Sequence, residues 1–242
     1  MLRFLIASCF LLAPSFATAE GKFIGTLELV PSGCERAAQC TLKNDFGYVD
    51  SDGIGWQAKK GLKTDGATIP PWAQPYIGEP FDKRFIKAAI IHDHYCSRHV
   101  RPWRKTHWAF YDALLASELD KSTALLMYFA VYLGGPKWIE LIKGTACPVG
   151  KSCVQKTPGQ AWPARSRERK GEDGQRYLFR SAEYNDASFK RHVDDTHSFI
   201  SERAGQVTLQ ELEMRAHAAK PGDFFFLNPE SITTRPAPQV TK

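Results

Sequence analysis

The residues best equipped for chemistry lie in the first half of the chain: Asp65, His92, Asp93, Tyr95, Cys96 and His107, with Asp112 a little further on. His92 and Asp93 are adjacent, so one short stretch offers a carboxylate and an imidazole that titrates near neutrality. His92 and Cys96 are four apart, which on a helix puts a nitrogen and a sulfur donor on one face. His92 can serve as a general base, with Asp93 beside it as the second catalytic candidate. Asp65, Asp93 and His107 can hold or orient a metal ion. Calcium fits if oxygen donors dominate, and zinc fits if His92 and His107 bind, with Cys96 as a further donor. Cys96 with a nearby histidine can also act as a thiol nucleophile. A fourth reading needs no reaction: Asp65, His92, Asp93 and His107 form a buried polar network that fixes how a loop docks on helices.

These side chains need elements to position them. Phe81, Phe85, Ala88, Ala89, His92, Tyr95 and Cys96 recur at three- and four-residue steps, which predicts a helix from Asp82 to Arg98 with these residues on one face. Arg101-Pro102 breaks it, and Trp103, His107, Phe110, Tyr111 and Leu114 form the apolar stripe of a second helix. The short connection favours antiparallel packing. His92 near the end of the first helix and His107 near the start of the second then meet at the same end of the pair. Asp65 belongs to a stiff, irregular stretch, Gly61 to Trp72, rich in Gly and Pro. A carboxylate there can be aimed accurately at a site, with Thr64 beside it as a further candidate; equally, Asp65 can cap a turn through neighbouring amides.

Around this block the chain reads as α+β and mainly helical. A small N-terminal antiparallel sheet is expected to pack on a core of four helices, followed by a helical C-terminal extension. Phe23 to Val30 predicts a strand. Phe46–Val49 and Ile54–Ala58 predict a hairpin about Asp50-Ser51-Asp52-Gly53, whose aspartates read as turn residues rather than calcium ligands. Ala124 to Leu133 is a buried third helix, and Pro136 to Ile142 a short fourth. Lys156 to Gln175 has the composition of a basic linker. Two amphipathic helices follow, over Ser181–Arg203 and from Thr208 to Pro221, the second opened by a capping-box pattern. Phe224-Phe225-Phe226-Leu227 must dock on something. The expected divisions are a leader at 1–19, a core domain at 20–153, a basic linker at 154–180, a helical extension at 181–227 and a disordered tail at 228–242.

The leader carries Arg3, an apolar run from Phe4 to Ala13 and Ala17-Thr18-Ala19 as a cleavage site. That pattern predicts export, to the periplasm or beyond, and no later stretch approaches membrane length, so an integral membrane protein is not expected. Six cysteines are present, of which Cys9 lies in the leader. In an oxidising compartment Cys34 with Cys40 and Cys147 with Cys153 are the preferred pairs, other pairings remaining open, and Cys96 is left unpaired. The net charge of +6 and pI near 9.0 come largely from Lys151 to Lys170. That run fits contact with lipid headgroups or cell-wall polymers, or simply a solvated linker. No aromatic-and-basic nucleic-acid motif is present, so no nucleic-acid partner is expected.

Residues from about Phe46 to Leu133 resemble a family of phage and bacterial proteins known as domain of unknown function 1353. The resemblance rests on Thr64-Asp65-Gly66-Ala67-Thr68-Ile69-Pro70, on Ala88-Ala89-Ile90-Ile91-His92-Asp93-His94-Tyr95, on His107 with Phe110, and on Met127-Tyr128-Phe129-Ala130-Val131. It implies a site without naming a reaction. His107 stands where the family carries an acidic residue, and Cys96 is an addition to the pattern. The segment His92-Asp93-His94-Tyr95 is also similar to the His-Asp-x-x-Tyr helix of secreted phospholipases of the A-two class. That similarity implies His92 as the base that activates water, Asp93 as a calcium ligand and the Asp65-Gly66 segment as a calcium loop.

Two functional expectations follow. One is an exported metal-dependent hydrolase acting on ester or amide bonds of lipid or cell wall, with His92 as general base. The other is a non-enzymatic envelope or phage-related binding protein, in which Asp65, His92, Asp93 and His107 are structural.

Overall fold

A computed structural model describes residues 20–143, 146–149, 153–155, 161–229 and 232–235. The leader expected at 1–19 lies outside them. Six short strands come first: β1 (Lys22–Ile24), β2 (Leu29–Val30), β3 (Cys40–Leu42), β4 (Phe46–Val49), β5 (Gly55–Ala58) and β6 (Lys63–Thr64). The strand expected over Phe23–Val30 is split in two at Gly25, whose φ is +83°. The first of the two small antiparallel sheets has the order β1-β4-β5, and the second β2-β3-β6. The β4–β5 hairpin turns where expected. Asp50 fixes that turn: its carboxylate accepts from the Ile54 amide at 2.7 Å and from Trp56 Nε1 at 2.8 Å. Phe46, Tyr48, Trp56 and Ala58 point from this sheet into the core.

Four helices follow, α1 (Gln74–Ile77), α2 (Ile86–Arg98), α3 (Trp103–Ala116) and α4 (Lys121–Gly134), of which α2 and α3 pack on the first sheet. α2 starts at Ile86 rather than Asp82. Asp82 is held in a preceding turn, its carboxylate accepting from the Arg84 amide at 2.9 Å and its carbonyl from the Phe85 amide at 3.1 Å. α2 ends at His99, a left-handed cap with φ 62°, and Pro102 precedes α3. The pair is therefore joined by only Val100 and Arg101 between cap and proline, which folds the two helices together. α4 is apolar nearly all round, as a helix buried on most sides must be. Its N-cap is Asp120, which accepts from the Thr123 amide at 3.0 Å.

The second half departs from expectation. The residues expected as a short fourth helix, Pro136 to Ile142, instead enter strand β7 (Lys137–Lys143). Gly135 is extended after α4, and the Trp-Ile-x-Leu-Ile run alternates between two buried faces. Trp138 packs into the helical core, while Ile139 and Leu141 join Leu178 and Phe225 in a second apolar cluster. The expected linker over 154–180 contains β9 (Ser166–Lys170) and β10 (Arg176–Arg180), after β8 (Cys153–Gln155). The expected tail over 228–242 contains β11 (Ile232–Arg235), which runs parallel between β7 and β8. Together they form a sheet of order β8-β11-β7-β10-β9. Its charged outer strand β9 suits a sheet edge, where charge discourages pairing with other chains.

The extension supplies α5 (Ala187–Glu202), α6 (Leu209–Ala219) and α7 (Phe224–Leu227). α5 starts six residues later than Ser181, at the Asp186 cap, whose carboxylate accepts from the Ser188 amide at 2.9 Å. α6 has the expected capping box between Thr208 and Glu211. Phe225 and Phe226 are buried in α7, so this cluster packs onto the protein itself. A nearly buried ion pair between Arg180 and Asp223 ties α7 to β10. Both preferred disulfides form, Cys34–Cys40 and Cys147–Cys153, with Cα atoms 5.1 and 5.8 Å apart, and Cys96 is unpaired. Among the described residues no helix is long and apolar enough to cross a membrane.

Candidate metal centre and its cavity

α2 and α3 pack closely, and His92 and His107 meet at the shared end as their spacing predicts. His92 Nε2 lies 2.8 Å from His107 Nδ1 and 3.4 Å from Cys96 Sγ. His107 Nε2 lies 3.2 Å from the carbonyl of Pro136, just past the end of α4. A carbonyl only accepts, so His107 carries its proton on Nε2 and turns the Nδ1 lone pair towards His92. On the other side of the His92 ring, Nδ1 lies 3.7 Å from Asp93 Oδ1. His107 thus has an acceptor behind it in Pro136, and Asp93 stands behind His92 at ion-pair rather than hydrogen-bond distance. Acceptors in this position hold imidazole ligands in place in metal centres.

The ligand atoms of His92, Cys96 and His107 all lie within 4.8 Å of one another. Two nitrogens bound tetrahedrally to one zinc ion at ordinary bond lengths stand about 3.3 Å apart, and a nitrogen and a sulfur about 3.5 Å. The His92–Cys96 separation of 3.4 Å already matches, the His92–His107 separation of 2.8 Å must open by about 0.5 Å, and the third pair, His107 with Cys96, lies within 4.8 Å. The two-nitrogen, one-sulfur set is soft, which favours zinc over calcium. The calcium arrangement implied by the phospholipase similarity needs converging oxygens, which this group does not supply.

Burial sets the electrostatics. His107 is fully buried, and burial, with His92 and Lys137 nearby, holds its imidazole well below the usual histidine range, so it is neutral. Burial, then the Asp93 charge, raises the Cys96 thiol well above its ordinary range. Without a cation the thiol is protonated and a poor nucleophile, which weighs against the thiol-enzyme reading. The Asp93 side chain is 35% exposed, but it lines the cavity, and burial pushes its carboxyl up. His92 opposes that rise and the Asp65 charge adds to it.

The other sequence candidates fall elsewhere. Asp65 is exposed and outside the three-donor group, close enough to Asp93 to be felt only as charge. Gly66 beside it has φ +84°, and a Cβ there would lie 2.7 Å from the Pro80 carbonyl, so this turn requires glycine. Thr64 is buried, and its hydroxyl accepts from the Gly66 amide at 3.0 Å, a turn contact. Tyr95 faces the opposite side of α2: it packs edge-on against Trp56 at 4.7 Å, and its hydroxyl accepts from the Gln57 amide. Asp112 accepts from the Tyr48 hydroxyl and the Ser51 amide, anchoring the hairpin to α3.

His92, Asp93 and Cys96 sit on the wall of a cavity of about 200 Å³. Its other walls are mainly apolar, including Ile69, Trp72, Phe110, Leu126 and Met127. The far wall comes from the extension through Ala182, Tyr184, Phe189 and Val193, none of which the sequence singled out. Tyr184 is held on the end of α4, where the Gly134 carbonyl accepts from the Glu183 amide at 2.7 Å. Burial raises its phenol above the ordinary tyrosine range, with Cys96 and Asp93 adding to the rise, so its hydroxyl keeps its proton beside them. No local signal in the sequence marks Tyr184, because only the tertiary fold brings it to the histidines.

Comparison with known proteins agrees with the motifs. Residues 40–131 match the model of a family described as protein of unknown function (DUF1353), and residues 178–235 match that of the AraC-like ligand binding domain. The chain is 54% identical to uncharacterized protein y4iH of Sinorhizobium fredii over 121 residues, 50% of this chain and 51% of the relative. It is 34% identical to uncharacterized protein y4jT of the same organism over 130 residues, 51% of this chain and 39% of the relative. The chain thus spans about half the length of the first relative and less of the second. No solved structure matches.

Proposed function

We propose that this is an exported zinc-dependent hydrolase that cleaves an ester or amide bond carrying an apolar acyl group. The observation that carries the reading is the meeting of His92 Nε2, His107 Nδ1 and Cys96 Sγ within 4.8 Å at the wall of an apolar cavity. Three protein donors leave a fourth position for water or substrate, the pattern of catalytic rather than structural zinc. Zinc held there supplies a Lewis acid that polarises the carbonyl under attack.

The chain's own residues do the rest. The cavity takes the acyl group and excludes water from it. Asp93 lies beside His92 on the cavity wall, with its carboxyl raised by burial, which makes it the group to take a proton from the attacking water. His92 was expected in that role from sequence, but its Nε2 faces His107 and Cys96 and its Nδ1 faces Asp93. It acts instead as a ligand steadied by Asp93. Tyr184, which shares the cavity wall with Asp93 and Cys96, is the candidate to donate from its hydroxyl to the oxygen on which negative charge develops. The leader pattern and the two disulfides support export, and the basic charge suits lipid or cell-wall surfaces as the source of substrate.

The test is hydrolysis of 4-nitrophenyl butanoate, hexanoate and octanoate by zinc-loaded protein. Activity lost with EDTA, restored by zinc and lost in Asp93→Asn supports the reading. Zinc-loaded, folded protein that is inert towards these esters and the matching amides sinks it. One observation favours the non-enzymatic alternative: His92, His107 and Pro136 already satisfy one another without a cation. A protein that binds no zinc would leave that structural role for His92, Asp93 and His107, without the exposed Asp65 that the sequence groups with them.

A further inference from the structure

The cavity beside the histidines is built from two parts of the chain. Its inner walls come from the block matching the family model, for example Phe110 and Leu126, and its outer wall from Tyr184, Phe189 and Val193. The outer wall is tightly fitted. Phe189 is buried and meets Trp72 edge-on at 6.2 Å and Tyr184 at 5.4 Å. A Cβ on Gly134 would come within 2.5 Å of the Phe189 ring and 3.0 Å of Tyr184, so α4 admits this wall only because it ends in glycine. Further out, Tyr76 of α1 stacks on His197 of α5 at 5.7 Å. α5 therefore closes a space whose floor is laid by other elements.

The size of that space limits its occupant. A dry apolar cavity of about 150 Å³ takes up benzene, six carbons. At the same packing, about 200 Å³ holds roughly eight carbons. We propose that the cavity is a pocket for one short apolar chain of about eight carbons, and that Phe189 and Val193 on α5 set the length it accepts. This deepens the hydrolase reading and rests on it for the word substrate, but binding in the pocket stands apart from turnover. The selectivity would then belong to the extension, while the metal donors belong to the family block.

The experiment is calorimetric titration of the mature chain, zinc-loaded and metal-free, with linear 1-alkanols from butanol to dodecanol. Each added methylene is expected to tighten binding about fourfold up to octanol, after which affinity stops rising. Phe189→Ala is expected to move that break to longer chains, and Val193→Leu, which adds volume with little disturbance, to shorter ones. No binding by folded protein would overturn the proposal, as would affinity rising unbroken to dodecanol, or a break that neither variant moves. Alkanol binding with inert esters would defeat only the hydrolase reading.

Discussion

Replacing His107 with alanine separates what the two histidines do for the fold from what they do for a cation. The side chain is fully buried near the start of α3. Its loss strands the Pro136 carbonyl, 3.2 Å from Nε2, and takes from His92 Nε2 its nearer partner at 2.8 Å, leaving only the Cys96 sulfur at 3.4 Å. A buried group left without its partner costs about 1–3 kcal/mol. The ring also packs edge-on against Trp103 at 5.6 Å and Trp138 at 6.3 Å, and removing it opens a cavity between them. Together these contributions amount to about 4–6 kcal/mol, a large part of the stability of an ordinary domain. The assay is urea unfolding followed by tryptophan fluorescence, in EDTA and again in free zinc. In EDTA the variant is expected to unfold at clearly lower urea. In zinc at a hundredfold excess over the dissociation constant, the wild type should gain about 2.7 kcal/mol and the variant almost nothing. An equal gain from zinc in both proteins would refute His107 as a ligand, and a loss below about 1 kcal/mol in EDTA would refute the packing argument.

Other expectations follow from the same structure. His99 is buried among Trp138, Tyr177 and Phe179, and burial, with Arg169 nearby, lowers its imidazole from 6.5 to about 4. Between those values the unfolded chain binds the proton and the folded chain does not, so stability falls as pH drops from 6.5 towards 4, by up to roughly 3 kcal/mol, and does not change above 6.5 on this account. His99→Asn, which tolerates the left-handed cap, should flatten that part of the profile of urea midpoint against pH; an unchanged slope would clear His99. Asp50→Ala strands the Trp56 indole N–H and the Ile54 amide and should cost about 2–4 kcal/mol in urea unfolding, while leaving zinc binding intact. Tyr184→Phe should keep the metal and the fold but lower kcat for ester hydrolysis by about 10²-fold with little change in KM, and wild-type kcat would remove the hydroxyl from the mechanism.

Local pattern carried the first half of the molecule. The three- and four-residue spacing of Ala88, His92 and Cys96, the Pro102 break and the stripe through His107 and Phe110 were enough to bring the two histidines together, because both helices are contiguous and their connection is short. The same periodicity misplaced Tyr95: α2 is buried on both sides, so Tyr95 packs on β5 while Cys96 faces the cavity. The second half was less legible because its pairing is non-local. Lys137–Lys143 has a helix-compatible composition, and only β10 and β11, dozens of residues away, make it a strand. β9 is so charged that it reads as linker, β10 adds only a three-residue apolar run at the end of that stretch, and β11 lies where a disordered tail is expected. The outer cavity wall was invisible for the same reason: nothing near Tyr184, Phe189 or Val193 in sequence says that α4 ends beside them in a glycine.

The most direct measurement is the zinc content of purified mature protein by mass spectrometry, wild type beside Cys96→Ala, His107→Ala and Asp93→Asn, after exchange into metal-free buffer and reloading with zinc or calcium. The account predicts one zinc per wild-type chain and no retained calcium. It also predicts zinc lost from the first two variants and kept by Asp93→Asn, since Asp93 supports His92 without belonging to the three-donor group. A folded wild type that retains no zinc, or Cys96→Ala and His107→Ala variants that retain it in full, would contradict the central claim.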